Sequence, residues 1–141
     1  MNNYLPTDYQ NFIALSRYAR WKEDEQRRET WVETVERYFD YMKDHLYSTC
    51  NYVLSDELRG ELEEAVLNQD IMPSMRALMT AGPALDRCHV GAYNCSYVPV
   101  DSPRAFDETM YILMCGTGVG FSVERENVDK LPIVNEVMHH T

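Results

Sequence analysis

Apolar residues recur every three or four positions through the first eighty residues of the chain, the spacing typical of amphipathic helices. The pattern predicts four helices, at about residues 10–19, 29–46, 55–68 and 73–82. The second is the clearest, because its apolar residues share one helix face: Trp31, Val35, Tyr38, Phe39, Met42 and Leu46. The opposite face of this helix is charged, so one side is expected to be packed and the other solvated.

Residues that favour helix ends support these boundaries. Ser55 is a suitable N-cap for the third helix, and the acidic residues that follow it favour the helix dipole. Pro73 suits the first turn of the fourth helix and Gly82 suits its C-cap, with Pro83 expected to end it. The charged run Lys22 to Glu29 is interpreted as a solvated approach to the second helix.

The pattern changes after residue 84. Aromatic and β-branched residues around "YNCSYVPV" predict a strand of about five residues, and Ser102 and Pro103 begin a predicted helix that ends near residue 114. A glycine-rich loop then leads into a second predicted strand, "GFSVE". We therefore predict a helical N-terminal region over 1–85 and the start of an α/β layer over 86–141.

No predicted helix or strand follows the second strand to cover the α/β layer. Residues 129–141 are polar and loop-like, and two short strands do not make a stable sheet alone. The chain is therefore expected to be incomplete as a folding unit, either a fragment or one half of a split protein.

Composition narrows the class of partner. The 141 residues include 13 basic and 23 acidic side chains, a net charge of -10, which argues against a nucleic-acid surface. The N-terminus lacks the features of a secretory signal, and no apolar run is long enough to span a bilayer. A cytoplasmic protein whose four cysteines are thiols is expected, without a membrane or nucleic-acid partner.

The loop "CGTGVG" carries glycine at Gly116, Gly118 and Gly120. A dinucleotide or phosphate loop follows a strand and opens a helix, whereas this one follows a helix and enters a strand. Two interpretations stay open from the residues alone. The glycines form a structural turn, or they let backbone approach a neighbouring strand or a small ligand closely.

Cys95 lies within the first predicted strand, between Asn94 and Ser96. Alternation along a strand turns Cys95 to one face and its two polar neighbours to the other. An unpaired cysteine is commonly a small buried hydrophobe, but a thiol presented in a cleft can also form a disulfide with a cysteine elsewhere. Cys88, His89 and Cys95 lack the spacing and number of ligands of a soft-metal site, so no metal is predicted.

Five segments resemble one family in the same order along the chain. They are "RYARW", "RRETWVETVERY", "MPSMRALMTAGPAL", "AYNCSYVPV" and "YILMCGTGVGFSVE". Together they resemble the N-terminal part of the catalytic subunit of ribonucleotide reductase. The resemblance is strongest to the adenosylcobalamin-dependent class II enzymes of the monomeric ribonucleoside-triphosphate reductase type, and it covers about residues 15–135.

The resemblance implies a helical N-terminal region followed by the first strands of a ten-stranded α/β barrel. It implies an oxidoreductase that reduces ribonucleotides to 2'-deoxyribonucleotides for DNA synthesis by cysteine-based radical chemistry, with adenosylcobalamin as cofactor and a thioredoxin-like dithiol as reductant. Cys95 matches the redox cysteine of the first barrel strand, whose partner cysteine is absent from this chain.

The substrate side of the expected site follows from the same resemblance. The expected substrate-binding residues flank Cys95 or lie in the glycine loop: Asn94, Ser96, Gly116, Thr117, Gly118 and Gly120. The segment is expected to be inactive until the C-terminal part of the reductase completes the site. Two alternatives remain open: the large subunit of a metal-radical class I reductase, and a non-catalytic helical interaction module derived from the enzyme.

Overall fold

Helices dominate the computed structural model, which describes residues 4–133. The chain divides into a first unit, Met1–Tyr93, and a second unit, Asn94–Thr141. The elements of the first unit are α1 (Asp8–Ile13), a π-helix (Ala14–Tyr18), β1 (Trp21–Lys22), β2 (Arg27–Arg28), α2 (Trp31–Cys50), α3 (Asp56–Leu67), α4 (Met75–Thr80), α5 (Pro83–Arg87) and a 3-10 turn (His89–Ala92). Those of the second are β3 (Cys95–Pro99), α6 (Arg104–Met114), β4 (Gly118–Ser122) and α7 (Arg125–Val128).

The predicted helices of the first unit are confirmed, with small shifts at their ends. Ser55 caps α3 by accepting a hydrogen bond from the Leu58 backbone N–H. Thr30 caps α2 in a capping box with Glu33, and Asn51 ends it in the left-handed conformation that asparagine tolerates. No helix among residues 4–133 is long and apolar enough to cross a bilayer.

The charged run from Lys22 to Glu29 is mostly exposed and leads into α2, as predicted, although Glu29 itself is buried. The chain forms an antiparallel hairpin there, in which Lys22 pairs with Arg27. The hairpin is fixed by α2: the Glu33 carboxylate receives two hydrogen bonds from Arg27, at 2.7 and 2.8 Å, and one from Lys22 at 2.8 Å. Ion pairs from Lys22 and Arg27 to Glu33 therefore join the hairpin to the start of α2.

The fourth helix stops before Pro83, as expected from the sequence, and Pro83 also begins α5, which was not predicted. Gly82 has φ +109°, which turns the chain between α4 and α5. Its carbonyl oxygen then accepts hydrogen bonds from the Leu85 and Asp86 N–H groups. Proline is favoured at the first position of a helix because its missing N–H would have no partner there, so the same residue that stops α4 starts α5.

The core of the first unit lies between α2 and α3. Val35, Phe39 and Val66 are buried, with Val35 fully inaccessible to solvent, and Trp31, Tyr38, Leu62 and Leu67 pack around them. These are the apolar faces that the periodicity predicts. Burying each of the three central side chains contributes about 1.5 to 3 kcal/mol.

A buried ion pair joins several backbone segments of the first unit. The Arg37 guanidinium donates to both carboxylate oxygens of Glu29, at 2.9 and 3.1 Å, and to the carbonyl oxygens of Ala81 and Tyr18. Glu29 also accepts a hydrogen bond from the backbone N–H of Arg20. The two side chains of the pair are 16% and 10% exposed, so water cannot replace these contacts readily.

Replacing the cation of this pair is expected to destabilise the chain strongly. Arg37→Met should lower the free energy of unfolding by about 3 kcal/mol, because it leaves the Glu29 carboxylate buried without its partner. Urea denaturation followed by circular dichroism measures the change. Arg59→Met is the matched control, since Arg59 is similarly buried but pairs with the exposed Asp40 and, on its own helix, with the partly exposed Glu63, and it should cost less than about 1 kcal/mol. Equal losses in the two variants would contradict the account.

The Glu33 carboxylate makes part of the stability depend on pH. Its hydrogen bonds from Arg27 first, and then from Lys22 and the Thr30 backbone, hold its pKa well below the usual value of about 4.5. A lowered pKa in the folded state adds stability above the unfolded pKa, which is lost as pH falls toward the folded one. The stability gap between the native chain and Glu33→Gln should therefore be widest near pH 7 and narrow below about pH 4.5. Thermal unfolding across pH 3 to 7 tests this, and a constant gap would refute it.

Candidate functional site

The second unit is built on two parallel strands. β3 and β4 pair with Cys95 opposite Gly118, Tyr97 opposite Gly120 and Pro99 opposite Ser122. Helix α6 connects the strands and contacts both of them, which is the β-α-β order predicted from the sequence. Cys95 is the first residue of β3, and β4 begins at Gly118, two residues earlier than expected.

The pairing brings Cys95 and two of the glycines to one face of the sheet. Paired residues of parallel strands share a face, and alternate residues along each strand return to it. Cys95, Tyr97, Gly118 and Gly120 therefore define one surface, here called the Cys95 face, and all four are exposed. Ser96, next to Cys95, lies on the other face and is half-buried, in agreement with the predicted alternation.

The first glycine of the loop ends α6. Gly116 has φ +86°, and its N–H donates to the Leu113 carbonyl oxygen while the Thr117 N–H donates to that of Ile112. These two bonds form a Schellman motif, the common helix ending that places glycine in the left-handed conformation. Of the two interpretations of the loop, the structural turn therefore holds for Gly116.

The other two glycines lie within β4. A methyl group built at Gly118 would lie 3.4 Å from the Asn94 carbonyl oxygen, and one at Gly120 would lie 3.5 Å from that of Ser96. Both distances are ordinary van der Waals contacts. Close packing of β4 on β3 therefore does not require glycine at either position.

The remaining expected site residues take part in the sheet itself. The Asn94 carbonyl oxygen accepts a hydrogen bond from the Gly118 N–H at 3.0 Å. The Ser96 hydroxyl donates to the Gly118 carbonyl oxygen at 3.1 Å. Thr117 is 1% exposed, so its side chain packs inside the unit. These residues hold β3 and β4 in register, and their side chains do not share the exposed Cys95 face.

Tyr97 is a candidate site residue that the sequence analysis did not select. It lies two positions after Cys95 on the same face, opposite Gly120, and is 63% exposed. Because positions 118 and 120 carry no side chains, Tyr97 is the large side chain next to Cys95 on this face, two residues further along β3. The sequence could have identified Tyr97, because the alternation that places Cys95 on this face of the strand also places Tyr97 there.

The other three cysteines lie outside β3 and β4. Cys50 ends α2 and is exposed, whereas Cys88 and Cys115 are half-buried, and Cys115 caps α6. Within residues 4–133, no three side chains of the histidine, cysteine, aspartate and glutamate types are grouped to hold a metal ion. Cys95 is therefore the cysteine that stands beside glycine backbone on an exposed sheet face.

The two kinds of glycine should respond differently to substitution. Gly116→Ala forces alanine into a left-handed conformation, which costs about 1 kcal/mol, and hydrogen exchange at the Gly118 amide should become about fivefold faster. Gly120→Ala should leave that rate nearly unchanged, since a methyl group fits there. Hydrogen exchange measured by nuclear magnetic resonance compares the two variants. Faster exchange in Gly120→Ala than in Gly116→Ala would show that the turn has been misassigned.

Comparisons with known proteins give one consistent family. The adenosylcobalamin-dependent ribonucleoside-triphosphate reductase of Lacticaseibacillus paracasei is 35% identical over 150 residues, covering 83% of this chain and 19% of that protein. The enzyme of the same name from Levilactobacillus brevis is 28% identical, covering 88% of this chain and 20% of its own length. A crystal structure of a B12-dependent (class II) ribonucleotide reductase matches with a TM-score of 0.63 and 25% identity, covering 86% of this chain and 21% of that one.

The matches extend over most of this chain but only a small part of each relative. The chain spans about a fifth of the length of the curated reductases it matches. The sequence model of the ribonucleotide reductase alpha domain covers residues 3–82, more than half of the chain. The α2–α3 core and the Arg37–Glu29 ion pair lie in this matched segment, and the chain belongs to the ribonucleotide reductase alpha domain family.

Proposed function

We propose that this chain is the N-terminal part of an adenosylcobalamin-dependent ribonucleoside-triphosphate reductase, in which Cys95 is one of two cysteines that reduce the substrate. The supporting observation is the exposed Cys95 at the start of β3, paired with Gly118 of β4. The names of the relatives supply the reaction class. The enzyme produces 2'-deoxyribonucleotides for DNA synthesis, and β3 and β4 are the first strands of its ten-stranded barrel.

The reduction balances with two thiols. The Cys95 thiol and the thiol of a partner cysteine in the rest of the enzyme give up two electrons and two protons and become a disulfide. The substrate loses its 2'-hydroxyl as water and gains hydrogen at the same carbon. Cys95 therefore has to meet the ribose on one side and a second thiol on the other, which an exposed position at the start of a strand permits.

The glycines of β4 let the substrate lie against backbone. No side chain stands at Gly118 or Gly120, so a ribose can approach the sheet within contact distance of the Cys95 thiol. Asn94 and Ser96 contribute through the backbone and hydroxyl contacts that fix the strand register. Gly116 and Thr117 contribute by ending α6 so that β4 starts opposite Cys95.

The disulfide formed in each turnover has to be reduced again. A thioredoxin-like dithiol is the proposed reductant, because thiol–disulfide exchange needs a thiolate that can reach one of the two sulfur atoms. The exposure of Cys95 allows such an attack once product has left. This step regenerates the Cys95 thiol and leaves the incoming dithiol oxidised.

Adenosylcobalamin supplies the initiating radical when it is bound to the complete enzyme. The Cys95 face is an open sheet surface, and residues 94–133 include no histidine. We therefore assign the cofactor site to the rest of the enzyme. The same reasoning predicts that this chain is inactive alone.

Reconstitution tests the role of Cys95. The chain is mixed with the missing C-terminal part of a relative, adenosylcobalamin, a dithiol and a ribonucleoside triphosphate, and deoxynucleotide is measured. The native chain should restore turnover, and Cys95→Ser should lower multiple turnover at least a hundredfold, because serine cannot form the disulfide. Omitting either the C-terminal part or the cofactor should abolish product.

Cys50→Ser is the matched control, since Cys50 is also an exposed thiol but ends a helix in the first unit. It should retain native activity. Native activity from the Cys95→Ser chain would refute the proposed redox role. Activity that needs a second metalloprotein subunit instead of cobalamin would place the chain in class I.

A further inference from the structure

A cleft in the first unit has the features of a ligand site and takes no part in the proposed reduction. Its volume is about 200 Å³, and its lining combines aromatic, apolar and amide side chains: Tyr9, Ile13, Tyr18, Trp31, Gln69 and Met72. The cleft is bounded by α1, the π-helix, the start of α2 and the segment after α3. All of these residues belong to the segment that matches the family.

Two aromatic rings form a fixed wall of the cleft. Tyr18 and Trp31 meet edge to face, with ring centroids 6.4 Å apart. The Trp31 indole N–H donates to the Leu67 carbonyl oxygen at 3.2 Å, which holds the ring in place. The π-helix is closed by a bond from the Ala19 N–H to the Ala14 carbonyl oxygen, and such helices are frequent at functional sites.

The polar edge of the cleft is formed by Gln69, in the turn that follows α3. Its φ of +65° belongs to a Schellman helix ending, in which the Gln69 N–H donates to the Val66 carbonyl oxygen and the Asp70 N–H to that of Ala65. The Gln10 side-chain amide donates to the Gln69 side-chain oxygen at 3.2 Å and fixes its orientation. Among residues 4–133 no acceptor takes a hydrogen bond from the Gln69 amide nitrogen, so this edge offers a donor.

We propose that this cleft binds a planar nitrogen heterocycle of the nucleobase class. The aromatic wall favours a flat ring, and the Gln69 amide N–H favours a ring nitrogen or carbonyl oxygen at the ring's edge. An apolar cavity of about 150 Å³ accepts benzene, so this volume accommodates one or two fused rings. The lining carries no cationic side chain, and the site therefore recognises the base of a nucleoside and not its phosphates.

Trp31 fluorescence provides the test on the 141-residue chain. Trp21→Phe serves as background, because Trp21 and Trp31 are the two tryptophans of the sequence and Trp21 lies in the hairpin. Adenosine is the probe and should quench the remaining signal in a saturable way. Ribose should have no effect. Toluene should bind more weakly than adenosine, because it offers no acceptor to Gln69.

Two variants and two matched controls identify the site. Tyr18→Leu should weaken adenosine binding about tenfold by removing part of the wall, and Gln69→Asn should weaken it about fivefold by withdrawing the amide. Tyr52→Leu makes the same change at an exposed tyrosine outside the cleft. Gln26→Asn makes the same change at another glutamine with positive φ. Both controls should bind adenosine normally.

Three results would overturn the proposal. Absence of saturable quenching would overturn the proposal, as would equal affinity in Tyr18→Leu and Tyr52→Leu. Toluene binding as tightly as adenosine would show an apolar site and overturn the assignment of a base. Circular dichroism of each variant, unchanged from the parent chain, shows that lost binding is not lost folding. None of these outcomes depends on the reductase activity.

Discussion

The first unit depends on one buried ion pair. The Arg37 side chain projects from α2 and satisfies the Glu29 carboxylate together with carbonyl oxygens at the end of the π-helix and after α4. Arg20, which precedes β1, adds a hydrogen bond to the Met79 carbonyl oxygen, and burial lowers the pKa of its guanidinium, helped by the Arg37 charge. Because helix ends leave carbonyl groups without partners, two arginines in the interior set where short helices stop and how they lie against α2.

The second unit depends on a different constraint, the register of two parallel strands. The Schellman ending of α6 uses Gly116 to turn the chain, and β4 then starts with Gly118 opposite Cys95. A shift of one residue would turn Cys95 or the glycines to the other face. The proposed chemistry therefore depends on the backbone turn at the end of α6. This turn places Cys95 opposite Gly118, beside backbone that carries no side chain.

Much of the fold follows from the sequence because its signals are local. The apolar stripe of α2, the Ser55 cap and the strand around Cys95 all result from periodicity or from a single capping residue. The hairpin at Lys22 to Glu29 could not be predicted in the same way, since its charges are arranged by Glu33, which belongs to the next helix. The stop of α4 before Pro83 was predicted, but α5 was missed because a proline that ends one helix can also begin another.

The candidate site, like the fold, could be predicted from the sequence only in part. Cys95 was selected by the resemblance, and its exposure on one sheet face agrees with the alternation expected of a strand. The three glycines look equivalent in the sequence. Their φ angles and strand positions in the structure separate Gly116, which forms a turn, from Gly118 and Gly120. Tyr97 carries no signal of its own in the sequence, since an aromatic residue in a strand more commonly packs than binds a ligand. The predicted loop-like segment 129–141 lies outside the described residues from position 134 onward.

The most direct test of the account is the thiol state of Cys95 after one turnover. In the reconstituted enzyme, with no external dithiol, one equivalent of deoxynucleotide should form, and peptide mass spectrometry after alkylation should find Cys95 in a disulfide with a cysteine of the C-terminal part. Cys50 should remain alkylated as a thiol in the same sample. Formation of product with Cys95 still fully alkylated would contradict the central claim.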